Sequence, residues 1–374
     1  MKYYLIAGEA SGDLHGSNLM KGLKAVDPDP HFRFWGGDRM QEQGGEMVAH
    51  YRDHSIMGFL EVLVNLGKIR RNFRTCKNDL LGYQPDVLIL IDYPGFNLRM
   101  AEFAHHHNIR VFYYISPKIW AWKESRIKKI RAFVDQMFII FPFEKDFYRS
   151  HGYEAIYHGN PLIDAVDDKM HHRSSFHDFT REQGLQDKPV VAILPGSRKQ
   201  EIDRNLGVMI RIIGDYPDYQ FVIAGAPSIE RAYYDHYLKY ENLSYVHDMT
   251  HDLLSHASAA IITSGTATLE AALFNVPQVV CYRANPVSYL IARHFVHLSY
   301  ISLVNLNMDK QVVRELIQGD MTPKALNREL NHLLHDKEYV ARMLSDYEQL
   351  RRILGGSGAS ARIARDIYQK LGGS

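Results

Sequence analysis

The chain has 374 residues, 46% of them hydrophobic and 23% charged, the balance of a globular protein and not of a disordered one. Its 44 basic and 43 acidic side chains leave a formal charge of +1, which excludes the global basic field of a dedicated nucleic-acid binder. The two cysteines, Cys76 and Cys281, stand far apart in the chain, so a disulfide framework is excluded and a reducing compartment is expected.

In chain order, residues 3–7 form a short apolar run that reads as a strand. The run is too short for the apolar core of a secretory signal, and no stretch reaches the ~18 apolar residues of a spanning helix. A glycine-rich turn follows at 8–13, then a helix over 14–25 and a second strand over 31–36. Residues 86–91 predict a buried strand, followed by a loop and a helix ending near His107. Further strands are expected at 110–116 and 136–141. Residues 165–188 are polar and charged and are expected to be a surface segment between domains. Strands then recur at 190–194, 220–224, 259–263 and 278–282, and a helical tail is broken by glycines at 355–358. This alternation predicts an α/β chain of two doubly wound, Rossmann-like domains with parallel sheets. The expected divisions are 1–165, 166–350 and a C-terminal helical tail, 351–374, packing back on the first domain. Such a pair suggests a cleft with ligands at the carboxyl ends of the strands.

Five segments carry candidate chemistry. Leu194-Pro195-Gly196-Ser197-Arg198 links a strand to a helix. Glycine lets backbone approach an anion, helix-start N–H groups bind phosphate oxygens, and Arg198 offers a guanidinium fork to a diphosphate. Ser264-Gly265-Thr266-Ala267-Thr268-Leu269-Glu270 repeats the arrangement with hydroxyls, and Glu270 suits ribose hydroxyls. Either segment alone could be a plain βα turn with a capped helix. Two together, with an arginine, favour a nucleoside diphosphate, and neither is a Walker A loop.

Asp92, at the end of a buried strand, is a candidate general base, or else a cap for the next helix. The opening Gly8-Glu9-Ala10-Ser11-Gly12-Asp13 lacks the GxGxxG spacing; its glycines fit close approach of a bulky ligand or a turn with positive φ. Gly8, Glu9, Ser11, Gly12 and Asp13 are therefore acceptor-side candidates, with Glu9, Asp13 and His15 as reserve bases. Over 56–77, Phe59, Val62, Leu63, Leu66, Ile69 and Phe73 share one helical stripe beside Lys68, Arg70, Arg71, Arg74 and Lys77. That pattern suits either an interfacial helix on anionic lipid or an ordinary core helix with a basic outer face. Phe59, Leu63, Leu66, Arg70 and Arg71 are the membrane-contact candidates. The aromatic segment 113–122 could line an apolar channel or pack between domains. The adjacent His105, His106 and His107 point different ways on a helix, and neither metal nor cofactor is expected.

Taken in order, the motifs at 8–13, 91–97, Ser116-Pro117 with Trp120-Ala121-Trp122, Phe141-Pro142-Phe143-Glu144-Lys145, 194–198 and 264–270 resemble the lipid-A-disaccharide synthase family from end to end. The resemblance implies a GT-B fold and an inverting transferase. It would join UDP-2,3-diacylglucosamine to 2,3-diacylglucosamine 1-phosphate through a β(1→6) bond and release UDP. It further implies Asp92 as base and Arg198, Glu270 and Asn305 at the donor site. It places the protein in the cytoplasm of a Gram-negative cell, on the anionic inner-membrane surface, with a homodimer left open. Gly159-Asn160-Pro161 stands where some members carry Gly-His-Thr, and Gly95 where some carry Asp, which favours Asp92 over its neighbours as base. A UDP-sugar 2-epimerase or a non-catalytic nucleotide-sensing membrane protein are the alternatives from the residues alone.

Overall fold

The computed structural model describes residues 1–54, 66–120, 124–285 and 299–373. Phe59 and Leu63 of the expected membrane face, and Trp122, lie outside the described residues. The chain divides into two compact units, Met1–Asp164 with Leu354–Ser374, and Ala165–Ile353.

The first unit is built on seven strands: β1 (Lys2–Ala7), β2 (His31–Gly36), β3 (Glu46–His50), β4 (Val87–Ile91), β5 (Arg110–Tyr114), β6 (Gln136–Ile139) and β7 (Ile156–Tyr157). Their order is β3-β2-β1-β4-β5-β6-β7, and every pairing is parallel. The inner strands are apolar throughout because helices cover both faces, and all five residues of β4 are fully buried. The order reverses between β1 and β4, so the loops after these two strands flank a switch point, where open α/β sheets bind ligands.

The second unit repeats the plan with β8 (Val190–Leu194), β9 (Gln220–Gly225), β10 (Leu243–His247), β11 (Ala257–Thr263), β12 (Gln278–Tyr282) and β13 (Arg314–Ile317). Their order is β10-β9-β8-β11-β12-β13, again all parallel. Here the switch point lies between β8 and β11.

The tail helix Ala359–Lys370 returns to the first unit, where it packs on helix Ala10–Val26. Closeness requires Gly22, where a Cβ would sit 2.8 Å from Ala364 Cβ and 3.2 Å from the Ser360 carbonyl. The Asp164 carboxylate accepts the N–H groups of Gly358 (2.5 Å) and Ser360 (2.8 Å), and His158 Nε2 lies 2.7 Å from Asp366.

Two expectations are corrected. Residues 165–188 are not merely a surface segment, because they include helix Phe176–Glu182 and most of helix Pro161–His171. Phe179 is buried and stacks on His256 at 4.9 Å, and Ser175 caps its helix through the Asp178 N–H. The helix expected over 14–25 begins earlier, at Ala10, inside the glycine-rich segment.

Candidate functional site

The first unit's switch point brings together the segments after β1 and β4. None of its glycines is there for positive φ. They are there for contact: a Cβ on Gly8 would lie 2.3 Å from the Tyr93 ring, and one on Gly16 would lie 2.6 Å from Met40 Sδ. A Cβ on Gly12 would lie 3.2 Å from Ala7 Cβ. Helix Ala10–Val26 can therefore lie close to the sheet. The glycines admit protein neighbours in the space the sequence reading gave to a bulky ligand.

Asp13 is buried, and its carboxylate accepts the backbone N–H groups of Gly37 (2.7 Å), Arg39 (3.1 Å) and Met40 (3.1 Å). It caps the start of helix Asp38–Glu42, a structural role that leaves it poorly placed as acceptor contact or reserve base. Burial nevertheless holds its carboxyl above the ordinary value, against those three donors. Glu9 is half-buried at the cap position of helix Ala10–Val26, and Ser11 is exposed.

Asp92 follows β4 directly. Asp92 and Tyr93 both adopt left-handed backbone, with φ of 44° and 46°, and Ile115 after β5 has φ 64°. Non-glycine residues in that region are strained, and such strain gathers at functional sites. The strain is held by hydrogen bonds. Asp92 N–H donates to the Tyr114 carbonyl at 3.2 Å, while the Asp92 carbonyl accepts from Tyr113 Oη (2.5 Å) and Asn97 Nδ2 (2.8 Å). The Asp92 side chain is half-buried. Desolvation raises its pKa, opposed by the Lys118 charge, the Tyr93 N–H and the Arg126 charge. A carboxyl moved toward neutrality while still near cationic groups is what a general base requires.

The second unit's switch point brings together 194–198 and 264–270. Helix Lys199–Met209 starts after Arg198, and helix Thr266–Leu273 starts after Gly265; neither start is capped by its own leading side chain. Gly196 has φ 115°, which favours glycine. Glu201, which the sequence reading did not single out, accepts the Ser197 N–H at 3.1 Å and lies 3.7 Å from the Arg198 guanidinium. Arg198 is well exposed (58%).

Ser264 donates its hydroxyl to the Ile301 carbonyl (2.9 Å), and Thr268 donates to the Gly265 carbonyl (2.8 Å). Ser264, Gly265 and Thr266 are half-buried, as is Glu270, whose carboxylate lies 3.6 Å from His251 Nε2. Asn305 is fully buried. Its Nδ2 donates to Val313 O (2.9 Å) and Glu315 (2.8 Å), and its Oδ1 accepts from Val312 and Val313 N–H (2.8 and 3.0 Å).

Helix Leu66–Tyr83 begins with Leu66. Its Cys76 and Leu80 are fully buried, and Phe73 stacks on Phe96 at 4.3 Å. Phe73 of the expected stripe is therefore core packing, while Arg70, Arg71 and Arg74 are exposed. No helix among the described residues is long and apolar enough to cross a membrane. Among them, too, no three His, Cys, Asp or Glu side chains gather as a metal site.

A family profile described as lipid-A-disaccharide synthetase matches residues 3–363. The chain is 35% identical to a lipid-A-disaccharide synthase of Geobacter sulfurreducens, covering 98% of this chain and 97% of that one. It is 36% identical to one from Coxiella burnetii, with 98% of each covered. Among solved structures, a UDP-GlcNAc 2-epimerase of Methanocaldococcus jannaschii, in complex with UDP-GlcNAc and UDP, shares the fold with a TM-score of 0.69 at 14% identity. That match covers 99% of this chain and 100% of the epimerase. The kitacinnamycin glycotransferase matches with a TM-score of 0.62 at 14% identity, over 99% and 98% of the two chains. These two likenesses bear on the fold; the sequence relationship bears on the family. The chain belongs to the lipid-A-disaccharide synthase family of glycosyltransferases.

Proposed function

We propose that the protein transfers diacylglucosamine from UDP-2,3-diacylglucosamine to the 6-hydroxyl of 2,3-diacylglucosamine 1-phosphate, with inversion, forming the β(1→6) disaccharide 1-phosphate and UDP. The observation that carries this reading is the chemistry of the two switch points. One holds a carboxylate with a raised pKa on strained backbone. The other holds two helix starts and an exposed arginine.

Asp92 accepts the proton of the acceptor's 6-hydroxyl as that oxygen attacks the anomeric carbon of the donor. The bond from the anomeric carbon to the α-linked diphosphate breaks on the opposite face, and its electron pair leaves with UDP. Charge growing on the diphosphate meets Arg198 and the N–H groups around Gly196, Ser197, Gly265 and Thr266, which act by fixed electrostatics. Glu270 accepts ribose hydroxyls, Ser264 lines the same loop, and Asn305 shapes its surroundings. Glu9 and Ser11, the accessible members of the opening segment, border the acceptor. Arg70 and Arg71 hold the protein on anionic lipid at the cytoplasmic face of the inner membrane, where substrates with acyl chains reside.

The reading is tested by incubating the purified chain with both substrates and resolving products by mass spectrometry. Disaccharide 1-phosphate and one UDP per turnover are expected. A UDP-sugar epimer, or binding of both substrates without turnover, would overturn it.

A further inference from the structure

Glu144 is a buried ionisable group that the mechanism does not use. It is 1% exposed, and four donors converge on it. Ser116 Oγ (2.5 Å) and Trp120 Nε1 (3.1 Å) donate to Oε1; the N–H groups of Ile140 (3.2 Å) and Phe141 (3.0 Å) donate to Oε2. Burial raises its pKa to about 6 despite these bonds, and its charge in turn raises the pKa of Tyr148 and Tyr157. Among the four partners, the Ser116 hydroxyl alone could turn round to accept. The arrangement is thus that of a carboxylate, desolvated at a cost.

What that cost secures is the orientation of one half-buried indole. The Trp120 and Phe143 rings meet at right angles with centroids 4.9 Å apart, and Phe143 stacks on Phe141 at 5.5 Å. The segment carrying Trp120 leaves β5, the strand beside β4, which Asp92 directly follows. Tyr113 and Tyr114 at the end of β5 hold the Asp92 backbone, and Lys118 acts on the Asp92 charge. The indole therefore belongs to the same strand-end surface as the proposed base.

We infer that Trp120, locked in place by the Glu144 carboxylate, is an aromatic subsite for the acylated sugar ring of the acceptor, with Glu144 as its positioning residue. This rests on the proposed reading of Asp92 as the base toward that acceptor. An indole whose N–H is already committed offers its flat carbon face, which suits the C–H face of a sugar and the first carbons of an acyl chain. A carboxylate orienting it from within fixes the ring without touching substrate.

The test varies acceptor at saturating donor, then donor at saturating acceptor, for wild type, Trp120→Phe, Glu144→Gln and the double variant. Trp120→Phe keeps a ring and loses the N–H; Glu144→Gln keeps the volume and turns an acceptor into a donor. Each single variant is expected to raise acceptor KM about tenfold, the scale of one hydrogen bond to a charged group, with donor KM within about twofold of wild type. The double variant should be no worse than Trp120→Phe alone, because Glu144 acts only through the indole. Unchanged acceptor KM in folded Trp120→Phe, a matching rise in donor KM, or effects that multiply in the double variant would each overturn the inference. If Glu144→Gln does not fold, Trp120→Ala serves beside Trp120→Phe and should raise acceptor KM further; an unchanged value would overturn the subsite. Failure of wild type to form disaccharide counts against the reading of function, whereas an active wild type with unmoved variants counts against the subsite.

Discussion

Asn305 donates an amide hydrogen to Glu315 at 2.8 Å, and the pair supports the segment beneath Ser264. The Glu315 carboxylate accepts the N–H groups of Ile301 (3.0 Å) and Ser302 (2.9 Å), and the Ile301 carbonyl accepts the Ser264 hydroxyl (2.9 Å). Because both ends of the Asn305 amide are engaged within the protein, its influence on the donor loop runs through backbone.

Replacing Asn305 with Ala should therefore cost stability as well as donor affinity. Three buried backbone bonds and the bond to Glu315 are lost, so a loss of about 2–4 kcal/mol is expected from the unpaired groups left behind. Thermal or urea unfolding would measure it, alongside UDP titration. Lost UDP affinity at an unchanged Tm would instead mean that Asn305 touches the donor itself.

Arg198→Ala should weaken UDP binding by roughly 1.5–3 kcal/mol, the range for a charged hydrogen bond, with no change in Tm since the side chain is exposed. Glu201→Gln should act in the opposite direction. The Glu201 carboxylate occupies the Ser197 N–H and lies beside Arg198, so a diphosphate approaching the loop meets like charge. Calorimetric titration should show UDP binding several-fold tighter in Glu201→Gln; weaker binding would mean that Glu201 supports the loop more than it repels the ligand.

Asp13→Ala should destabilise the first unit by about 1–3 kcal/mol, because three backbone N–H groups at the start of helix Asp38–Glu42 lose their acceptor. Turnover per folded molecule should change little. A fall in kcat of about a hundredfold or more at wild-type stability would return Asp13 to the catalytic machinery.

Much of this architecture can be read from the residues. The expected strands at 31–36, 190–194 and 278–282 coincide with β2, β8 and β12, because inner parallel strands are covered on both faces and read as unbroken apolar runs. The strands absent from the sequence reading are β3, β7, β10 and β13, the outermost strand on each side of each sheet. Half-covered edges tolerate polar residues, as in Glu46–His50 and Arg314–Ile317, so periodicity does not reveal them. The turns at 194–198 and 264–270 are legible as strand-to-helix connections because glycine and hydroxyl residues follow apolar strands. Glu201, Glu144 and Glu315 are not legible, since a carboxylate's worth here depends on donors brought from distant segments. The Phe141–Glu144 spacing before a helix did carry a signal: a glutamate three residues after a helix cap reaches back to the cap's own N–H.

Arg70→Glu with Arg71→Glu should weaken binding to vesicles containing anionic lipid and remove much of its salt dependence, each charge near a surface counting for about 1 kcal/mol. Both side chains are exposed on helix Leu66–Tyr83, whose buried side is held by Cys76 and Leu80, so Tm should be unchanged. Vesicle sedimentation at two salt concentrations decides it; equal binding by the variant would remove these arginines from the membrane face.

The turnover of Asp92→Asn bears most directly on the account. A carboxyl whose pKa is raised by burial holds its proton more tightly folded than unfolded. Its ionisation therefore subtracts stability as pH rises from the ordinary carboxylate value through the raised one, and asparagine removes that cost. At neutral pH the variant should unfold no earlier than wild type and bind UDP as well, while kcat falls by about 10²-fold or more, the scale of general-base catalysis. The acid limb of the wild-type pH–rate profile should lie above the ordinary carboxylate range and vanish in the variant. Near-normal kcat, or loss of activity only in step with loss of fold, would contradict Asp92 as the base.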